Sequence, residues 1–283
     1  MRYTNLGRTI DFSYPTNVVV TILSCLAVTA GFIYQLVIGS AWIEGLIWGG
    51  ILGLTIFLTW ALTREVDPDE PYSAFLSAAA ALASAILLAM PNLLATLWLI
   101  LILRMVNRVI GSRATWLDSL MVFGLGLFLA FELGWPYGFA SAIAFAMDSR
   151  LPQRHKIHLW FANAALFVSL IAAIFGPPLK PTGGWSAIRL LSVFGSTLLF
   201  VLVILCSRRV TGVADRTGAP LHPLRVQAAQ ILCVVIGLLG AWWGGWMEVI
   251  ILGPLWAAML GVSLYHVLVV LPGRVLRNRP ASS

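Results

Sequence analysis

The sequence predicts an all-α, polytopic transmembrane helical bundle of about ten segments, on the strength of composition, block length and alternating loop charge. Sixty per cent of the 283 residues are apolar and 10% are charged, whereas a soluble domain carries roughly 45–50% and 25%. The apolar residues fall in blocks near 17–39, 42–62, 73–90, 92–106, 117–132, 135–148, 159–176, 187–206, 226–244 and 248–271. A helix needs about 20 residues to span a bilayer core, and most of these blocks approach that length. The longest polar interval, Ser207 to Arg225, has 19 residues. That leaves no room for a soluble domain, so residues 1–283 read as one integral membrane domain with short tails at 1–16 and 272–283.

Orientation follows from the loops, since Lys and Arg collect on the cytoplasmic side. Sixteen of the 18 basic residues lie in one alternating set of connections, and only Lys180 and Arg189 fall in the other. The second set carries Trp42, Trp135, Trp185, Trp242, Trp243 and Trp246, as expected of an aromatic belt at a membrane interface. Both termini are therefore expected inside, in a multi-pass protein of the cell membrane. The net charge of +7 is read as topology, and no nucleic-acid partner is expected. The partner that composition implies is the lipid bilayer.

Two hairpins, 73–106 and 117–148, are short for a pair of spans. The second, broken by Gly134-Trp135-Pro136, reads either as two thin spans or as a re-entrant pair. Gly45, Gly49 and Gly53 recur every fourth residue, a spacing that lets backbones approach closely. The stripe suits a homodimer contact, but packing within the bundle is the preferred reading, with Leu52 facing lipid. Cys25, Cys206 and Cys233 sit in apolar segments and read as buried hydrophobes. A weak likeness between 97–120 and 198–224 permits an internal repeat of hairpins. Glu44, Glu132 and Glu248 each stand near an outer turn, where a charge is cheap.

Candidate chemistry gathers at the inner helix ends. The loop Glu65-Val66-Asp67-Pro68-Asp69-Glu70 offers four carboxylates and would be the place for Mg²⁺, which prefers oxygen ligands. Arg108, Arg113 and Asp118 follow the fourth segment, and guanidinium forks suit phosphate or carboxylate. Asp148 and Arg150 close the sixth. Asp148 abuts an apolar run, so it needs either an Arg partner or an inward-opening cleft. On this reading Asp148→Asn abolishes activity and leaves the melting temperature unchanged. His266 is the intramembrane candidate, because ionisable groups at depth mark function. The loop from Arg208 to Arg225 is irregular and long enough to cover an opening. Metal-ligand spacings, Gly-rich phosphate loops and paired Cys motifs are absent from the sequence.

Three function classes remain open. A carrier or flippase-like protein for a small or amphipathic anionic solute is preferred. The alternatives are a lipid-modifying enzyme with its site at the cytoplasmic interface, and a structural or assembly subunit. A polar cavity reaching the midplane would favour the carrier, and convergence of inner carboxylates with Arg residues would favour the enzyme.

Overall fold

The computed structural model describes residues 4–178 and 185–273. Arg2, Lys180, Arg274, Arg277 and Arg279 lie outside the described residues. The chain forms α1 (Pro15–Val37), α2 (Trp42–Val66), α3 (Ser73–Leu87), α4 (Leu93–Asn107) and α5 (Trp116–Glu132), followed by α6 (Pro136–Arg150), α7 (His158–Phe175), α8 (Ala187–Cys206), α9 (Pro223–Ile251) and α10 (Gly253–Tyr265). A π-helical turn, His266–Val270, continues α10.

Helix starts follow local chemistry. Pro occupies the first turn of α1, α6, α9 and α10, where its missing N–H breaks no bond. The Asn92 side chain caps α4 by accepting from Ala95 N. Thr115 and Asp118 cap α5 reciprocally in a capping box. The apolar blocks place the turn between the last two segments near residues 244–248. Gly245 there takes φ +63°, a left-handed value open to glycine, and breaks the helical geometry, so Pro223–Ile251 is two helical stretches joined at a kink, with Glu248 and Leu252 packed back against Gly240.

Six helices, with α10 counted through Gly273, are long and apolar enough to cross a membrane. α3, α4 and α6 have 15 residues each and α5 has 17, or roughly 22–26 Å at 1.5 Å per residue. Helices α1, α7 and α8 bury only part of their surface and expose a run of large apolar side chains, among them Leu26, Phe167, Ile174, Leu191 and Phe194. A monomer in water does not leave a continuous apolar surface of that size uncovered.

α4 is central and packs on α2, α5, α6 and α9. Buried Trp98 donates to Ser141 on α6 at 3.0 Å. The glycine stripe packs inside the chain: a Cβ on Gly31 of α1 would meet Gly49 Cα at 2.9 Å, and one on Gly53 would meet Ser24 O at 2.7 Å. Leu52, expected to face lipid, is instead buried within this contact. Ser73, Ser77, Ala81 and Ala85 form a buried stripe on α3, the helix packed most closely against α10. The three cysteines are free thiols, but only Cys233 is buried, and Cys25 is exposed on α1. Of the three glutamates near the Trp-rich turns, Glu44 and Glu132 are exposed, whereas Glu248 is buried and accepts from the Tyr137 hydroxyl.

The connections alternate between two ends of the bundle. At one end Asn92 N donates to Ile251 O at 3.1 Å, and Trp135 packs on Trp243. At the other, the N-terminal segment and the connections 67–72, 108–115, 151–157 and 207–222 interlock with the end of α10.

Candidate functional site

Asp148, in the last turn of α6, is the hub of the basic end. Its side chain is 1% exposed, so an unpartnered carboxylate there would be costly. Arg108 Nη2 donates to both of its oxygens, at 2.8 and 3.1 Å, and Arg225 Nη1 donates to Oδ1 at 2.8 Å. His158 Nδ1 lies 2.7 Å from Oδ2. The four residues come from the end of α4, the end of α6, and the starts of α7 and α9.

Backbone geometry aims the guanidiniums. Arg108 is the C-cap of α4 with φ +56°, a left-handed position usually given to glycine. Its Nη1 donates to the carbonyl of Gln153, itself at φ +61°, at 2.7 Å. A non-glycine residue in that region costs about 1–2 kcal/mol, so the surrounding bonds must hold both residues there. Arg225 is held further by the carbonyls of Pro152 at 2.8 Å and Val106 at 2.7 Å. One carboxylate thus faces two guanidiniums, and the cluster is net positive. Arg108 Nε and Arg225 Nη2 are buried without a partner among the described residues.

Above the hub the 150–157 connection walls an open bowl of about 690 Å³, together with Arg113. Arg113, Arg150, Arg154 and Lys156 are its exposed cations, and His155 stands on the wall. His155 packs edge-on against His158, with ring centroids 4.5 Å apart. Burial, and then the neighbouring His158, pull the His155 pKa below its ordinary value. His155 is therefore neutral at pH 7 and able to accept a proton.

Ser119 Oγ lies 2.9 Å from His158 Nε2, so Ser119, His158 and Asp148 touch in the order of a nucleophile, a base and an orienting acid. Two facts weaken that chemistry. Ser119 is fully enclosed and donates to Thr115 O at 2.9 Å, and the charge of Asp148 is already spread over two guanidiniums.

Donor atoms of Asp148, His155 and His158 lie within 4.8 Å of one another, the only such three-residue group among the described residues. Two imidazoles and a carboxylate suit zinc or iron better than Mg²⁺. A dication would sit beside two buried guanidiniums that already share the one carboxylate. The electrostatics of the site favour an anion.

The residues singled out from the sequence divide between this cluster and others. Asp148 and Arg108 touch, and Arg113 and Arg150 line the bowl above them. Asp118 turns away, bonded to Thr115 and to Thr4 and Asn5 of the N-terminal segment. The acidic loop diverges, so its carboxylates do not converge on a Mg²⁺ site: Glu65 binds Arg104 at 2.8 Å and Asn107 at 3.2 Å, and Asp67 binds His266 at 2.9 Å. Asp69 accepts from the amides of Thr211 at 2.9 Å and Gly212 at 2.8 Å. The π-helical turn carries His266 to Asp67, so this histidine meets a loop carboxylate rather than a midplane path. The 207–222 loop is docked, with Asp215 N donating to Val109 O at 3.0 Å and Leu221 packed with Val109, Ala214 and Val226. Arg225, His158 and His155 do not stand out in the sequence as site residues. Each lies, as Asp148 does, at or beside the polar end of an apolar run.

The chain matches no protein-family model, no curated protein and no solved structure. The functional reading therefore rests on the geometry alone.

Proposed function

We propose that this chain is a multi-pass protein of the cell membrane, with ten segments and the basic end cytoplasmic, and that it is an enzyme acting on a phosphate-bearing amphipathic substrate at that face. The observation that carries the reading is the Asp148 cluster beneath a cation-rimmed bowl with neutral His155 on its wall. Arg113, Arg150, Arg154 and Lys156 would hold the phosphate, as guanidinium forks and ammonium groups do. Arg108 and Arg225, fixed by Asp148 and bonded to the carbonyls of Gln153 and Pro152 in the bowl's lining, add positive charge behind it. His155 would exchange a proton with the reacting group.

The clustering of basic connections at one end supports the inside orientation. α5 and α6 fit two thin spans or a re-entrant pair equally, since both return residues 151–157 to the basic end. The carrier reading loses ground to the enzyme. The cavity between α3, α8, the end of α9 and α10 is mainly apolar, with Trp246, Val249, Ile250 and Trp256 beside Ser84, Ser192 and Ser196, and the one beside Trp98 has only about 10 Å³. Neither gives an anion a polar path.

Two experiments test the proposal. Single cysteines at Ser112, Thr217 and Ala41, in a background lacking Cys25, Cys206 and Cys233, report orientation. The first two should label from the cytoplasmic side and Ala41 from the outside; labelling of Ser112 and Thr217 from opposite sides would overturn the topology. For the activity, membranes from cells expressing wild type or His155→Gln are compared by lipid mass spectrometry. Wild type should change the amount of at least one phosphate-bearing lipid, and the variant should not. Identical profiles at equal expression would remove the enzyme reading.

A further inference from the structure

A second basic site lies away from the bowl, between the N-terminal segment, the C-terminal half of α2 and α4. It is a groove of about 220 Å³ whose polar side carries Arg8, Arg64 and Arg104, and whose apolar side carries Phe57, Leu58 and Ile100. Arg8 and Arg104 are each partly committed: Arg8 Nη2 to Asp215 at 3.2 Å, Arg104 Nε to Glu65 at 2.8 Å, and Arg104 Nη1 to Leu6 O at 3.1 Å. Arg64 has no hydrogen bond or ion pair among the described residues, although it is partly buried. Independently, the Trp60 indole lines the groove and is only 7% exposed, and its Nε1–H has no acceptor. A buried N–H is normally satisfied, and this one belongs to a residue that lines the groove together with three arginines.

We propose that this groove binds one anionic glycerophospholipid of the inner leaflet. The phosphate would lie against Arg64 and Arg8 and accept from Trp60 Nε1. One acyl chain would follow Phe57, Leu58 and Ile100 along α2 and α4. The charge suits the ligand, because the guanidiniums of Arg8 and Arg104 are bound to Asp215 and Glu65, while Arg64 has no ion pair among the described residues and Asp67, the other carboxylate acting on it, is bound to His266. The depth is right too: the cations lie at the basic end of the bundle, and the apolar wall runs from there into its hydrophobic body. A soluble phosphate would use only half of this surface. The inference does not rest on the enzyme reading, since none of the groove residues lines the bowl.

The test uses the full chain, delipidated in mild detergent, with dioleoylphosphatidylglycerol, dioleoylphosphatidylcholine or inorganic phosphate as the probe. Native mass spectrometry should show one retained phosphatidylglycerol on wild type, and its occupancy should fall about tenfold in Arg64→Gln. Trp60→Phe keeps the ring and removes only the N–H, so it carries the test should Arg64→Gln fail to fold; it should lower occupancy several-fold at an unchanged lipid-free melting temperature. Arg150→Gln, in the bowl, should leave occupancy as in wild type. Equal retention of phosphatidylglycerol by wild type and Trp60→Phe would overturn the proposal. So would retention of phosphatidylcholine as strong as that of phosphatidylglycerol, or equal stabilisation by inorganic phosphate alone.

Discussion

Replacing Asp148 by Asn tests the hub most directly. Asn keeps the shape and one carbonyl acceptor but leaves the guanidiniums of Arg108 and Arg225 without a counter-charge. Their side chains are 5% and 2% exposed, so solvent screens them little. Removing one partner of a buried ion pair costs about 3–5 kcal/mol. Two cations lose their partner here, which puts the expected loss at the upper end, about 5 kcal/mol. At roughly 2–4 °C per kcal/mol for a chain of this size, the midpoint should fall by about 10–20 °C. This replaces the expectation that Asp148→Asn would spare stability, which assumed that Asp148 served only a ligand. The assay is thermal loss of monodisperse protein in detergent, followed by size exclusion. Asp148→Leu combined with Arg108→Met and Arg225→Met removes all three charges and should recover much of the loss, since apolar replacement of a whole buried ionic cluster is often neutral or stabilising. A shift within about 2 °C for Asp148→Asn, or a triple variant no more stable than the single, would refute the electrostatic account.

Other outcomes follow from local geometry. Gly49→Ala should destabilise by about 1–3 kcal/mol, because its Cβ would crowd Phe32 N at 3.0 Å, whereas Gly50→Ala, with nothing within 4 Å, should be harmless in the same melting assay. Leu52→Ala should cost about 2–5 kcal/mol, since Leu52 is buried rather than lipid-facing; a negligible shift would contradict its packing on α1. His155 has its folded pKa below the ordinary value, so the stability it confers is present above about pH 6.5 and is lost as pH falls through the folded value. Melting curves from pH 8 to pH 5 should show that loss in wild type, and His155→Gln should flatten it. Gln153 contributes its carbonyl to Arg108 while holding φ +61°, so Gln153→Gly should be neutral or stabilising by up to about 1 kcal/mol, and Gln153→Val should destabilise.

Much of the helical layout is legible in the sequence because its boundaries are chemical. Pro15, Asn92, Thr115, Pro136 and Pro223 stand at helix starts, where a missing donor or a side-chain acceptor is wanted, and the helices begin within a few residues of the apolar blocks. The break before the last segment is legible in the same way. Gly244-Gly245 reads as a turn, and Gly245, at φ +63°, interrupts the helix there. The burial of Glu248 is not legible: the stretch after the kink carries it onto Tyr137 and into the protein, where sequence position alone suggests a cheap interfacial charge. Leu52 escapes the spacing argument for a related reason. A residue between two glycines of a stripe is buried or lipid-facing according to how widely the neighbouring helix wraps it, and spacing does not fix that width.

The hub shows why the site is only half legible. Positive-inside reasoning assigns every Arg near an inner helix end to topology, and it gives the sign of the charge but not its depth. Asp148 stands out because an acid against an apolar run violates that expectation. Arg225 and His158 stand in the first turns of α9 and α7 but fit the expectation, so they pass as topology signals. Their burial is decided by helix packing: α4, α6, α7 and α9 end around one point, and the short α6 places Asp148 there. Charge balance still separates two kinds of depth. A buried carboxylate bound to one Arg would be neutral and closed, while the net positive cluster seen here, behind the lining of the bowl and with Arg225 Nη2 unpartnered, leaves electrostatic room for one more anion. That residual charge, more than any single residue, separates a ligand site from a helix-pinning ion pair.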